Sequence, residues 1–156
     1  MLMKLIFTAI LASAALSACA ESDQVDDNTI PFAQIHSSTD LAAHLRNTRT
    51  SPLNRLSPGA KQRFIDSLVF TENGLGSFQY SDLEAELSPT DIHAILGLFG
   101  LEDTTPMLTG ARISTDADRA IMKRRRDDVD WAIKDHMCAG AGVCNHQPNA
   151  YCTINC

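Results

Sequence analysis

Between residues 39 and 137, apolar positions recur every three or four residues and are separated by polar runs, the pattern of one-sided helices. Leu41 and Leu45 share a face over 41–48, with Thr39 or Asp40 as the cap. Ser57-Pro58 sets a capping hydroxyl before a proline at the first helical position, where its missing N–H costs nothing. Phe64, Ile65, Leu68 and Val69 follow, predicting a helix over 58–70 that stops in the glycine-rich turn 72–76. Phe78 to Tyr80 alternates briefly as a short extended piece. One or two helical turns are expected from Ser81, with Glu84 three residues on completing a capping box. Ser88-Pro89 repeats the start device, and Ile92, Ile95, Leu96 and Phe99 predict a helix over 89–99, ended by Gly100.

Residues 101–114 contain Pro106 and Gly110 and read as loop. Thr115 with Asp118 is another cap, and the pattern predicts a long helix over 116–137 with Ile121, Met122, Val129, Ala132 and Ile133 as its apolar positions. The run KRRRDD at 123–128 reads as a solvated face with base-before-acid pairs Lys123–Asp127 and Arg124–Asp128. Trp131, the only tryptophan, reads as a core residue. No solenoid-length repeat is present. Three to four amphipathic helices, little alternation and short connections predict a small all-α domain over 39–137.

Ahead of this region lies a different pattern. Leu5 to Leu16 is an uncharged apolar run preceded by Lys4 and followed by small residues. It is too short to cross a bilayer, which takes ~20 apolar residues, and it fits the hydrophobic stretch of a secretory leader over 1–18. Leu16-Ser17-Ala18-Cys19 resembles the lipobox of bacterial lipoproteins. The resemblance covers about the first twenty residues. It implies cleavage before Cys19, a diacylglyceryl group on its thiol, and acylation of the new amino terminus. Acyl chains contribute ~0.8 kcal/mol per buried methylene, so two or three hold a chain on a membrane. Ala20, which is not Asp, implies sorting to the outer membrane, facing the periplasm, in a Gram-negative source. Ala18-Cys19-Ala20 also fits the A-x-A site of ordinary secretion, which would discard Cys19. Residues 19–38 are acidic and polar, and read as a tether. Phe32 and Ile35 could dock on the domain.

The net charge of −6 becomes −7 once Lys4 leaves with the leader. An acidic domain of this kind is a poor match to nucleic acid or to an anionic membrane surface.

The chain has five cysteines, and setting Cys19 aside leaves Cys138, Cys144, Cys152 and Cys156 in the last nineteen residues. In an exported chain an even, clustered set predicts two disulfides, with three connectivities open. The segment 138–156 is rich in glycine and carries a proline, so it reads as a stapled segment following the long helix. A competing reading is a metal site, because His136 and His146 lie nearby and thiolates with imidazoles suit zinc. Against it, the spacing has no CxxC pair.

Signals for catalysis are absent. His36, His44, His93, His136 and His146 form no HExxH arrangement, no serine sits in GxSxG, and Gly74-Leu75-Gly76 lacks the rest of a phosphate loop. Asp82, Glu84 and Glu86 are two apart and do not share a helical face. The sequence therefore reads as a lipid-anchored, non-enzymatic binding module with no cofactor or metal, taking an envelope protein as partner and meeting the membrane through Cys19. The alternative is a precursor releasing a cysteine-rich peptide by cleavage in Lys123 to Arg126.

Overall fold

The computed structural model describes residues 34–123 and 133–156. The leader, Cys19, most of the tether, Arg124 to Asp128 and Trp131 lie outside them. The charge pairs Lys123–Asp127 and Arg124–Asp128 therefore lie outside as well.

Helix starts follow the serine and threonine signals. Helix α1 (Ser38–Asn47) is capped by Ser37, whose Oγ accepts from Asp40 N. The cap stands two residues ahead of Thr39, and Asp40 supports it by accepting from Ser37 Oγ and His36 N. A 3-10 turn, Pro52–Arg55, leads to α2 (Pro58–Asp66), capped by Ser57. Helix α4 (Pro89–Gly97) is capped by Ser88, and α5 (Asp116–Met122) carries the full capping box of Thr115 and Asp118. Between them α3 (Ser81–Glu86) has Tyr80 at its N-cap and no side-chain cap, so Ser81 and Glu84 do not form the expected box. The expected loop after Gly100 contains a second 3-10 turn, Glu102–Met107.

The all-α expectation is overturned by a four-stranded antiparallel sheet in the order β1-β2-β4-β3. Its strands are β1 (Val69–Thr71), β2 (Gly74–Gln79), β3 (Ile133–Gly140) and β4 (Val143–Cys152). The helix expected over 58–70 ends at Asp66, and Val69 and Phe70 begin β1. The turn at 72–76 therefore joins two strands. Thr71 pairs with Gly74, whose φ of 119° few other residues adopt. In the same hairpin Val69 pairs with Ser77 and Phe70 with Leu75, leaving Gly76 as a bulge. A Cβ on Gly76 would meet Thr71 Cγ2 at 2.9 Å and Cys138 Sγ at 3.3 Å, so a side chain there would force the strands apart.

The helix expected over 116–137 also fails. It ends at Met122, and Ile133 to Met137 lie in β3. Ile133 and Met137 carry a helical spacing by coincidence, and Val129 and Ala132 lie outside the described residues. Pairing with β4, the next strand of the same hairpin, overrides that local pattern.

The main core joins both halves of the chain. Leu53, Phe64, Leu83, Ile92, Ile95, Leu96 and Leu108 from the helical part pack with Leu75, Phe78 and Tyr151 from the sheet. Phe78 stacks on Tyr151 at 5.8 Å between ring centroids, and Phe64 meets Phe78 edge-on at 6.2 Å. Ile35 is buried in this core, and its N–H donates to Leu98 O, so the chain is docked before α1 begins. A second, smaller cluster holds Cys138, Cys152 and Cys156 against Val69 and Cys144.

Asp118 ties two helix starts together. It is fully buried, and its carboxylate accepts from Thr90 Oγ1 and N and from Ser114 and Thr115 N. Among the described residues no helix is long and apolar enough to cross a membrane.

Candidate functional site

Among the described residues, the β3–β4 hairpin carries the most unusual backbone. Cys144 and Cys152 lie in one strand, eight residues apart. A straight strand would separate them by roughly 26 Å, yet their Cα atoms are 6.1 Å apart and joined by a disulfide. Strand β4 must therefore bend back on itself. The ladder shows where: Lys134 pairs with Tyr151 and His136 with His146, so Gln147 to Ala150 oppose the single residue Asp135.

Both apices of this bulge are left-handed, Asp135 at φ 58° and Asn149 at φ 63°. Asp and Asn are among the few non-glycine residues that tolerate that region. The bulge is clamped from the helical side. Tyr80, between β2 and α3, donates its hydroxyl to Asp135 Oδ1 at 2.6 Å, and its N–H donates to Asn149 O at 2.8 Å. Asp135 Oδ1 also accepts from Asn149 N at 3.1 Å. The Tyr80 hydrogen bond, with that of Asn149 N–H, holds the Asp135 carboxyl below the usual carboxylate range. Burial, and then the Asp135 carboxylate, push the Tyr80 hydroxyl far above the usual phenol range, so it stays a donor. Lys134 Nζ lies 5.1 Å from the centre of the Tyr80 ring, a cation–π contact.

Bulges re-aim the residues beside them. Here the next residue, His136, faces His146 across the ladder, with ring centroids 5.6 Å apart and planes at 86°. His136 Nδ1 lies 2.9 Å from Lys134 O. A carbonyl can only accept, so Nδ1 carries the proton, and in the neutral ring Nε2 keeps its lone pair. His136 is half-buried and His146 exposed.

The four cysteines pair as Cys138–Cys156 and Cys144–Cys152. This answers the connectivity that spacing left open, and it removes the thiolates that a zinc site of cysteines and histidines would need. Cys138 and Cys144 face each other in the ladder, yet each bonds to a different residue nearer the C-terminus. The expectation that the stapled segment follows a helix is corrected, because Cys138 is a strand residue. The last residues are also sewn to the body and to the hairpin's own turn. Thr153 Oγ1 donates to Leu75 O at 2.6 Å, and Gly142 N donates to Cys156 O at 2.7 Å.

The remaining candidates scatter. His44 Nε2 meets Ser51 Oγ at 2.8 Å, His93 is half-buried on α4, and His36 is exposed beside α1. Glu84 accepts from Gly110 N and Glu86 from Ser57 N and Oγ, while Asp82 pairs with Arg63. With Arg112 and Ser114, Glu84 and Glu86 line an open groove of about 430 Å³. The Ser57 hydrogen bonds, backbone first, hold the Glu86 carboxyl below its ordinary value. That is the wrong direction for a general acid at neutral pH. These acids brace helix starts and loops.

Sequence reasoning found the cysteines but missed Tyr80, Asp135 and Asn149. The available signal was Asn149 after Pro148, a turn pair inside an otherwise strand-like run. Cys19 lies outside the described residues. No family model, curated protein or solved structure matches the chain, so the site is read from its own geometry.

Proposed function

We propose that the chain is an exported, lipid-anchored binding module of the cell envelope, acylated at Cys19 and holding its folded region off the bilayer on the acidic tether. One observation carries the reading. Cys138, Cys144, Cys152 and Cys156 pair among themselves, so Cys19 is the cysteine left over, and it stands at the end of the lipobox. Disulfides belong to oxidising compartments, which is where such a leader delivers its cargo. In a Gram-negative source the module faces the periplasm from the outer membrane. Asp82, Glu84, Glu86 and His44 are engaged in structural contacts, which fits a scaffold role for them better than a catalytic one.

The released-peptide reading has less support. After cleavage between Lys123 and Arg126, β4 would still hold β2 through Cys152–Ser77, Tyr151–Phe78 and Ala150–Gln79. Tyr151 would remain in the core. A peptide meant for release would have to leave that site.

Radiolabelled palmitate tests the proposal in cells. The expected result is a labelled, membrane-bound chain, with label and membrane retention both lost in Cys19→Ala. Recovery of the unlabelled wild type in the medium, beginning at residue 21, would replace the anchor with ordinary secretion. A chain found in the cytosol with Met1 in place and its thiols free would sink the export reading altogether.

A further inference from the structure

The geometry points to a divalent transition-metal site on the β3–β4 hairpin, with the imidazoles of His136 and His146 as its two protein ligands. We infer it from three features that meet there and are independent of the lipid anchor.

The first is register. His136 and His146 are directly paired across the ladder, and their ring centroids are 5.6 Å apart. Metal–nitrogen bonds of ~2.0–2.1 Å at a tetrahedral angle place two ligating nitrogens about 3.3 Å apart. A ring nitrogen lies only about 1 Å from its ring centre, so two rings at this spacing reach that separation by turning, without moving either strand. The second is tautomer. His136 Nδ1–H is engaged by Lys134 O, which leaves Nε2 as the basic nitrogen. Metal-binding histidines almost always give their other N–H to a carbonyl or carboxylate in this way. The third is rigidity. The bulge that places His136 is locked by Tyr80 on Asp135 and Asn149, and by the Cys144–Cys152 disulfide spanning the bend. The rings still have to turn, but the strands beneath them are already held, so less freedom is lost when the pair closes on an ion.

Two imidazoles suit Cu²⁺, Ni²⁺ and Zn²⁺, with Cu²⁺ bound most tightly, and do not suit Mg²⁺ or Ca²⁺, which take oxygen ligands. The other coordination positions are left for water or for a donor from a binding partner. The chain's acidic balance draws a cation toward the surface, while Lys134 sits against the Tyr80 ring.

The test uses the full chain without a histidine tag, its disulfides intact, titrated with Cu²⁺ and followed by calorimetry and electron paramagnetic resonance. The expectation is one equivalent bound, with splitting from two nitrogens in the copper spectrum, undisturbed by millimolar Mg²⁺. His136→Gln and His146→Gln should each weaken binding at least tenfold and abolish the two-nitrogen splitting. His44→Gln and His93→Gln should change neither. Because His146 is exposed, its variant keeps the fold and decides the matter even if the His136 variant is damaged. An unchanged affinity and spectrum in His146→Gln, no binding at millimolar Cu²⁺, or displacement by Mg²⁺ would overturn the proposal.

Discussion

Residues 34–123 and 133–156 solve the same problem by different means. In the helical body most large apolar side chains are buried, each helix except α3 has a side-chain cap, and three ion pairs decorate the surface. In the hairpin only Cys138, Ala150, Tyr151, Cys152, Thr153 and Cys156 are buried, while Ile133, Val143 and Ile154 face solvent. An exposed two-stranded ribbon is marginal in water on its own. Here two covalent closures limit the freedom of the unfolded chain, and one aromatic ring plugs the ribbon into the body. Where burial cannot offset conformational entropy, cross-linking reduces how much entropy there is to lose.

That comparison breaks first at Tyr151. Its ring stacks on Phe78 and meets Tyr80 edge-on, and it is fully buried. Truncating a buried aromatic costs ~3–5 kcal/mol. Tyr151→Ala should lower stability by about 4 kcal/mol, with helix content and hairpin amide protection lost in one urea transition. If the helical signal instead melted at the wild-type midpoint, the two regions would be separate units, and the shared core would contribute nothing.

The staples come next, and their sizes can be ranked. Cys138–Cys156 closes 18 residues and Cys144–Cys152 closes 8. Loop entropy alone gives about 3 kcal/mol for the longer and about 2.5 kcal/mol for the shorter. Paired replacements, Cys138→Ala with Cys156→Ala and Cys144→Ala with Cys152→Ala, should follow that order in urea midpoints. The opposite order would show that bending β4 at Asn149, rather than closing a loop, is the main work of the sulfur bridges.

Asp118 sharpens the other side. Thr90 Oγ1 leads the hydrogen bonds that hold its carboxyl far below the usual range, against the opposing effect of burial. A depressed folded pKa contributes stability that is complete above the unfolded value of ~3.9 and is lost as pH falls through the folded one. Asp118→Asn should therefore be less stable than wild type at pH 7, and the gap should begin to narrow as pH falls below about 4. Denaturation curves at pH 7 and pH 3 measure it. An equal gap at both would mean that the packing of Asp118, and not its charge, joins α4 to α5.

The same contrast explains what could be read in advance. Ser57-Pro58, Ser88-Pro89 and the Thr115–Asp118 box are local devices, complete within four residues, and the structure uses all three. The sheet offered no such signal. Five of the six β2 residues are buried, so polar and apolar positions do not alternate, and three of the first four are glycine or serine. Strands β3 and β4 are broken in register by Asp135 and Asn149, so no period of two survives. The cysteines announced their disulfides by number and clustering, but the partners were set by a bend that only the folded ladder reveals. Tyr80 is 55 residues from Asp135, beyond the reach of any local pattern.

The smallest effect separates a device that only looks local from one that is. Ser81 and Ser88 both precede an acid-containing helical turn in the sequence. Ser88 Oγ accepts from Asp91 N and donates to the Asp91 carboxylate, which is itself paired with Arg55. Ser81 is exposed, one residue inside a helix whose N-cap is Tyr80. Losing a true cap costs ~1 kcal/mol, because a helix N–H is left without its acceptor. Ser88→Ala should therefore lower stability by about 1 kcal/mol, and Ser81→Ala should stay within about 0.5 kcal/mol of wild type. Both can be read from urea midpoints at one pH. If Ser81→Ala cost as much as Ser88→Ala, α3 would be held by its own start. In this structure it is held by Leu83 in the core and by Glu84 on the Gly110 N–H.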